Sequence, residues 1–384
     1  MSDEDEGLTL TENQQEVLDT ACDWNKESES KKLTIGGLAG TGKTTLIKEM
    51  LKRDQFSNWA VASFTGKAVD VLRSKGIGRA QTIHNLMYHV LSDKDNEIKF
   101  TRHDGLERNG VIVDEASMVD TTLFRDLTKF NIPIIWVGDM GQLEPIGDDP
   151  RLMSDPDLKL TQIHRQALKS PIVRLSMLIR EGAEFSEWQA AADGMELNIR
   201  RQNTAVYSRM IEFAAKEGTM TICGFNATRM DINRGARRIR GYTEPVCEGD
   251  KVICLANEKQ QGVFNGMSGV VNETPKLLNG ATYLVSIKLA GITNPRRLKC
   301  DFGPVFDDNF DKKKWMREAV ERRASSEGND LTLWDHGYGI TCHKAQGSEA
   351  DEVAVWDQQC DFWDSTRWRY TAVTRAKRRL IYCT

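Results

Sequence analysis

Between residues 31 and 139 the chain alternates short apolar runs with segments of helical spacing. The runs "KLTIGG", "WAVASF", "GVIVDE" and "IPIIWVGD" are β-rich and nearly continuous in apolar character, as strands buried on both faces are. Such strands, separated by helical stretches, predict a parallel sheet with crossover helices. A second alternation starts at "TMTICGF" (219–225) and the helix-like "NATRMDINRGARRIR", then resumes at "EVAVW" (352–356) and "RLIYC" (379–383). The segment between, 246–333, carries the strand-like runs "DKVICLA", "SGVVNE" and "TYLVSIKLA", with Asn-Gly turn signals at Asn265-Gly266 and Asn279-Gly280. This predicts a small β-barrel inserted in the second α/β unit, followed by a charged, helix-leaning stretch at about 307–324.

Length changes this picture little: 384 residues suit two or three domains, and 40% hydrophobic with 28% charged residues is ordinary globular usage. No repeat of fixed period stands out. The opening "MSDEDEG" lacks a signal peptide's basic flank and apolar run, and no later stretch is apolar enough to span a bilayer, so a cytoplasmic protein without a membrane partner is expected. Eight cysteines occur without a CxxC pair. Cys223, Cys254 and Cys383 sit in strand-like runs and read as buried free thiols rather than disulfides.

The formal charge of −4 argues weakly against a nucleic-acid partner, but Asp3, Glu4, Asp5 and Glu6 account for all of it. Positive charge is clumped in "NRGARRIR" (233–240), "KKKWMREAVERR" (312–323) and "RAKRR" (375–379). Each clump suits either a solvated helix face or a local basic surface.

Candidate chemistry concentrates first in "GLAGTGKTT" (37–45), which follows a strand and opens a helical run, as a phosphate-binding loop must. Gly37, Ala39, Gly40, Thr41, Gly42 and Thr45 belong to that cradle; Lys43 would reach the β- and γ-phosphates and Thr44 would ligate Mg²⁺. "VIVDEASM" (111–118) is a buried strand ending in two carboxylates, Asp114 for the metal and Glu115 to activate water. In "WVGDMGQLEPIG" (136–147), Gln142 could sense the γ-phosphate. Arg165 in "TQIHRQ" and Arg375 in "YTAVTRAKRR" are candidate arginine fingers, because a guanidinium is always charged and binds bidentately. Helical spacing from 368 to 375 puts Trp368, Thr371 and Arg375 on one face.

One further stretch, "GITCHKAQGSEADEV" (339–353), places Cys342 beside His343. Two ligands without a second nearby pair do not make a zinc site, and neighbours on an extended strand point to opposite faces, which rules against a Cys–His nucleophile. Cys342 reads as apolar-facing. Strand alternation would put Thr341 and His343 on one face, with Gln346 and Gly347 in the turn that follows.

In order along the chain, "LTENQQ", "GLAGTGKTT", "SFTGKAV", "QTIHNL", "VIVDEASM", "GDMGQLEPIG", "IHRQ", "GYGITCHKAQGSE" and "WRYTAVTRA" make the sequence resemble the superfamily one DNA helicases, specifically the 5′-to-3′ branch that contains RecD and phage Dda. The resemblance implies an α/β fold of two RecA-like domains with parallel sheets: 1–160, bearing a short pin-like insertion at about 85–109; and 161–245 with 334–384, interrupted by the barrel at 246–333. It implies ATP and Mg²⁺ in the cleft, with Gln14 on adenine and Gln346 and Gly347 facing the nucleotide. It also implies contacts to single-stranded DNA or single/double-strand junctions through Thr65, Lys67, Thr82, His84, Thr341 and His343. Tyr88 or Phe100 would supply the tip of the pin, and Trp315 and Trp363, amid polar residues, are candidates for base stacking.

The expected activity is 5′-to-3′ translocation with duplex unwinding by a monomer, with replication or recombination proteins as further partners. Two alternatives stand beside it: a translocase or complex subunit that does not unwind alone, and a P-loop small-molecule kinase or nucleotide switch.

Overall fold

Strands buried on both faces build the two parallel sheets. The computed structural model describes residues 10–384 apart from 93–97, 146, 164–168, 257, 259–260, 264, 281, 291, 293, 303–314, 316–317 and 319–329; side chains at 89–92 and 98–101 are also outside the described set. The first eight strands are β1 (Lys32–Gly37), β2 (Trp59–Ser63), β3 (Gln81–Thr82), β4 (Tyr88–Ser92), β5 (Ile98–Arg102), β6 (Gly110–Asp114), β7 (Ile134–Gly138) and β8 (Leu158–Leu160). Six of them form one sheet in the order β3-β2-β6-β7-β1-β8, every pair parallel. All positions of β2, β6 and β7 are buried, which is why their sequences are apolar without alternation.

β4 and β5 form a separate antiparallel hairpin. Tyr88 pairs with Arg102 at its base and donates its hydroxyl to Asp126 Oδ2 at 2.6 Å. Tyr88 is therefore an anchor and not a tip, correcting that expectation; a phenol with a carboxylate in reach is held where its one polar atom is satisfied. The side chain of Phe100 lies outside the described residues.

Eleven strands follow: β9 (Leu197–Arg200), β10 (Thr219–Cys223), β11 (Lys251–Cys254), β12 (Ser268–Val271), β13 (Lys276–Asn279), β14 (Thr282–Leu289), β15 (Arg296–Phe302), β16 (Leu331–His336), β17 (Gly339–Thr341), β18 (Ala350–Trp356) and β19 (Ala376–Cys383). The second parallel sheet has the order β17-β10-β18-β19-β9. Between β10 and β17 in sequence, β12-β11-β16-β15-β14 closes on itself through a β12–β14 pairing, with β13 appended to β14. This is the small barrel, filled by Val252, Val285, Ile287, Leu298, Cys300 and Trp334. All eight cysteines are free, and Cys223, Cys254 and Cys383 are buried.

Trp315 is not a surface platform. It packs on Leu255 and Leu333 and donates its indole N–H to Asp301 Oδ1 at 3.3 Å, so it is a core residue despite its polar neighbours in sequence. The rest of the helix-leaning stretch at 307–324 lies almost wholly outside the described residues.

A buried ion pair joins the barrel to the second sheet. Arg237, on the helix Asn226–Ile239, grips Asp250 just before β11 with two bonds of 3.0 and 3.1 Å, and Tyr338 and the Cys247 N–H also donate to that carboxylate. His336 Nε2 is 3.8 Å from Asp250, yet burial and the nearby Arg237 push the imidazole down to about 4, so it stays neutral.

Candidate active site

Strand order assembles the site. β6, β7 and β1 are neighbours, so Glu115 after β6, the 139–142 loop after β7 and the P-loop after β1 emerge side by side at the carboxyl ends of a parallel sheet. The P-loop runs from Gly37 into the helix Lys43–Leu51, with Gly42 at its N-cap in the left-handed region (φ 79°). Lys43 Nζ donates to the carbonyls of Gly37 (2.9 Å) and Leu38 (3.0 Å) and lies 3.4 Å from Asp139 Oδ2. Gln14 is fully engaged nearby: its amide completes a capping box with Thr11 and donates to the Thr41 carbonyl at 3.0 Å.

Asp114 is buried and Glu115, next to it, is partly buried. Glu115 is a non-glycine residue at φ 56°, a conformation that costs free energy and persists only where its surroundings enforce it. Its Oε2 has no hydrogen-bond partner. Burial, then the adjacent Asp114, raise its carboxyl to about 7, against the opposing pull of Arg375 and Lys43. Burial also raises Asp114. A carboxyl poised near neutrality, with Lys43 and Arg375 close by, suits proton abstraction.

The second unit completes the cleft through the helix Ser365–Val373, capped by Asp364. Trp368 and Thr371 are fully buried on it, and Arg375 follows its end with 4% exposure. Arg375 donates to the Thr371 carbonyl (3.0 Å), the Ser348 carbonyl (3.3 Å) and Thr374 Oγ1 (3.0 Å), and its charge reaches Glu115. Gln142 Oε1 is buried without a partner, while Gln346 donates to the neighbouring Leu143 carbonyl at 3.0 Å. Leu143, Leu38 and Ala39 pack against the second unit's core cluster. Arg165 lies outside the described residues.

Thr65, just after β2, and Thr82, the last residue of β3, each cap the next helix, accepting from Ala68 N–H (3.1 Å) and Asn85 N–H (3.2 Å). Gly347, at φ 67°, touches the first unit here: a Cβ would fall 2.8 Å from Thr65 Oγ1. Lys67 is driven down to about 8, chiefly by burial, and lines a cavity of about 720 Å³ with Lys344, Glu349 and residues of the barrel. His84 lies beside Tyr88, ring centroids 6.1 Å apart.

The extended reading of 339–343 fails after Thr341. Cys342–Ala345 is a helical turn with Thr341 at its N-cap, so Thr341 and His343 do not share a strand face. Cys342 is fully buried, as expected, and its thiol is pushed further from ionisation by burial. His343 packs instead on Trp363 (6.2 Å), which also meets Phe225 (5.4 Å) and stacks on Trp368 (6.3 Å). Trp363 is thus tied into a cluster rather than standing free.

A family described as an AAA domain matches residues 9–199, and the UvrD-like helicase C-terminal domain matches 336–382. The ATP-dependent RecD2 DNA helicase of Deinococcus radiodurans is 27% identical over 97% of this chain and 48% of its own length. The ATP-dependent DNA helicase Dda of phage T4 is 29% identical over 53% of this chain and 49% of its own. The chain belongs to helicase superfamily one, on the branch of RecD and Dda. It spans about half the length of these curated relatives. In fold, this RecD-type chain resembles Bacteroides Pif1, solved bound to single-stranded DNA, with a TM-score of 0.58 at 18% identity over 98% of this chain and 92% of that one.

Two residues of the RecD-type cleft were missed in sequence. Asp139 and Tyr370 meet across it, Tyr370 Oη donating to Asp139 Oδ2 at 3.0 Å. Asp139 was within reach of sequence reasoning, since it ends a buried strand as Asp114 does. Among the described residues, no helix is long and apolar enough to cross a membrane.

Proposed function

We propose that this chain is an ATP-driven motor that moves 5′-to-3′ along single-stranded DNA and separates duplex ahead of it, built from two RecA-like units with the barrel inserted in the second. The observation that carries this reading is the shared cleft: Lys43 and Glu115 come from the first unit, and the charge of Arg375 reaches Glu115 from the second. A small-molecule kinase or a switch would leave the second unit's arginine without a task. A chain that hydrolyses ATP in response to DNA without unwinding would be the translocase alternative.

In this reading the P-loop N–H groups and Lys43 hold the phosphates, Lys43 leaving its present carbonyl partners to do so. Glu115 accepts a proton from the attacking water. Arg375 and Gln142 stabilise charge at the transferred phosphoryl group, as does Arg165. Gln14 contacts the adenine once freed from Thr41, and Gln346 and Gly347 carry the nucleotide state into the second unit.

The residues fit Mg²⁺. Asp114 and Asp139 lie near Lys43, Glu115 lies near both Lys43 and Arg375, and the Glu115 Oε2 has no hydrogen-bond partner. Among the described residues no cluster of three or more potential ligands stands ready, which suits an ion held by Asp114, Thr44 and phosphate oxygens rather than by a protein cage. When bound, the ion neutralises phosphate charge.

DNA would be gripped through its backbone by Thr65, Lys67, Thr82, His84, Thr341 and His343, contacts that carry no sequence information. We further infer that the chain works as a monomer in the cytoplasm, alongside replication or recombination proteins. The test is strand displacement on tailed duplexes.

A further inference from the structure

Tyr370 is the side chain that enters the P-loop from the opposite wall of the cleft. It lies on the helix Ser365–Val373 of the second unit, 1% exposed. Its Oη accepts the Ala39 N–H at 2.8 Å and donates to Asp139 Oδ2 at 3.0 Å. Asp139 is bound from three sides: Oδ1 accepts the Gly141 N–H at 2.9 Å, and Oδ2 also faces Lys43 Nζ at 3.4 Å. One phenol therefore links P-loop backbone to the carboxylate that holds the P-loop lysine.

Two features make that link directional. Burial, then Asp139, hold the phenol well above its usual range, so it keeps its proton, must donate it to Asp139, and has only lone pairs to offer Ala39. The ring is fixed as well as the hydroxyl: it lies so close to Gly141 that a Cβ there would fall 2.8 Å from Cε1, and Arg180 sits over its face at 6.0 Å. A hydroxyl on a ring packed this tightly can follow the P-loop only if the second unit moves with it.

We propose that Tyr370 is a positioning residue that makes the shape of the phosphate cradle depend on docking of the second unit. When Lys43 turns from Asp139 toward phosphate, the Tyr370 hydroxyl remains as partner of that carboxylate and of Ala39. The P-loop is then held in register only while the cleft is closed. Nucleotide affinity is thereby coupled to any event that closes the cleft, engagement of DNA above all. This rests on the ATP-site and DNA-motor reading and assigns a role that the phosphate, metal, water and finger residues do not cover.

The test is Tyr370→Phe, which keeps the ring and removes the one atom that makes both bonds. Affinity for a non-hydrolysable ATP analogue is measured with and without a single-stranded oligonucleotide, beside KM and kcat for ATP and a thermal melt. Loss of a hydrogen bond to a charged partner predicts roughly tenfold weaker analogue binding in the presence of DNA, a KM raised by more than kcat falls, and a reduced ratio of affinities with and without DNA. Asp139→Asn should weaken binding too, and the double variant should be less impaired than the product of the two single effects, because they remove one shared bond. Unchanged analogue affinity and DNA ratio in Tyr370→Phe, or full multiplicativity with Asp139→Asn, would overturn the proposal. Lys43→Ala in the same assays separates the two levels. If it retains wild-type turnover, the ATP-site reading itself is wrong; if turnover is abolished while Tyr370→Phe behaves as wild type, only the Tyr370 assignment falls.

Discussion

Leu143 donates its backbone N–H to Thr371 Oγ1 at 2.9 Å, a bond between residues 228 positions apart that fastens the loop after β7 to the helix preceding Arg375. The same helix reaches this loop again through Arg367, which donates to the Gln142 carbonyl at 3.3 Å. Arg375 is thereby set against the first unit by a fixed backbone, and its guanidinium is held by two carbonyls and a hydroxyl. Arg375→Lys keeps the charge but loses the fork that these acceptors and a phosphoryl group both use. DNA-stimulated kcat should drop on the order of 10³-fold while analogue affinity changes by a few-fold, as steady-state ATPase and equilibrium titration will show. A kcat within a few-fold of wild type would leave Arg375 as a structural residue.

Glu115→Gln removes the proton acceptor while keeping shape. ATP binding should persist, and single-turnover hydrolysis should slow by roughly 10²-fold or more. Normal turnover would take Glu115 out of the general-base role.

His343 is the residue whose placement differs most from its sequence reading. It sits in a helical turn on Trp363, half-buried, with its imidazole pushed down by burial. If it still meets DNA there, His343→Ala should lower DNA-stimulated ATPase several-fold more than basal ATPase. Equal loss of both would make it a packing histidine.

His336 supplies a pH signature of the barrel junction. Its folded value, about 4, lies below the ordinary 6.5, so between those limits the unfolded chain binds the extra proton. The stability contribution is complete above pH 6.5 and is lost as pH falls toward 4, by roughly 3 kcal/mol at most. Urea melts at pH 7.5 and 5 should show this loss, and His336→Asn should flatten it; an unflattened profile would mean that other groups carry the pH dependence.

The legible parts of this chain were those that local sequence determines. Apolar strands buried on both faces marked the two sheets, Asn-Gly turns marked the barrel, and Lys43 lies beyond the end of β1 while Asp114 and Glu115 lie at the end of β6, the two strands that flank β7. What stayed hidden is set by non-local packing. Trp315 looked exposed because its sequence neighbours are polar, but Leu255 and Leu333 cover it. Alternation through "GITCH" predicted extension, whereas the chain turns into a helix at Cys342. The left-handed backbone of Glu115 and the reach of Tyr370 to Ala39 leave no periodic trace at all.

A motor that unwinds DNA with 5′-to-3′ polarity is distinguished from the alternatives by strand displacement with ATP and Mg²⁺ on duplexes carrying a single-stranded tail at either the 5′ or the 3′ end. The 5′-tailed duplex should be displaced, the 3′-tailed one hardly at all, and neither by Lys43→Ala. Displacement of neither duplex by a protein whose ATPase responds to DNA, or preference for the 3′ tail, would contradict a 5′-to-3′ unwinding motor.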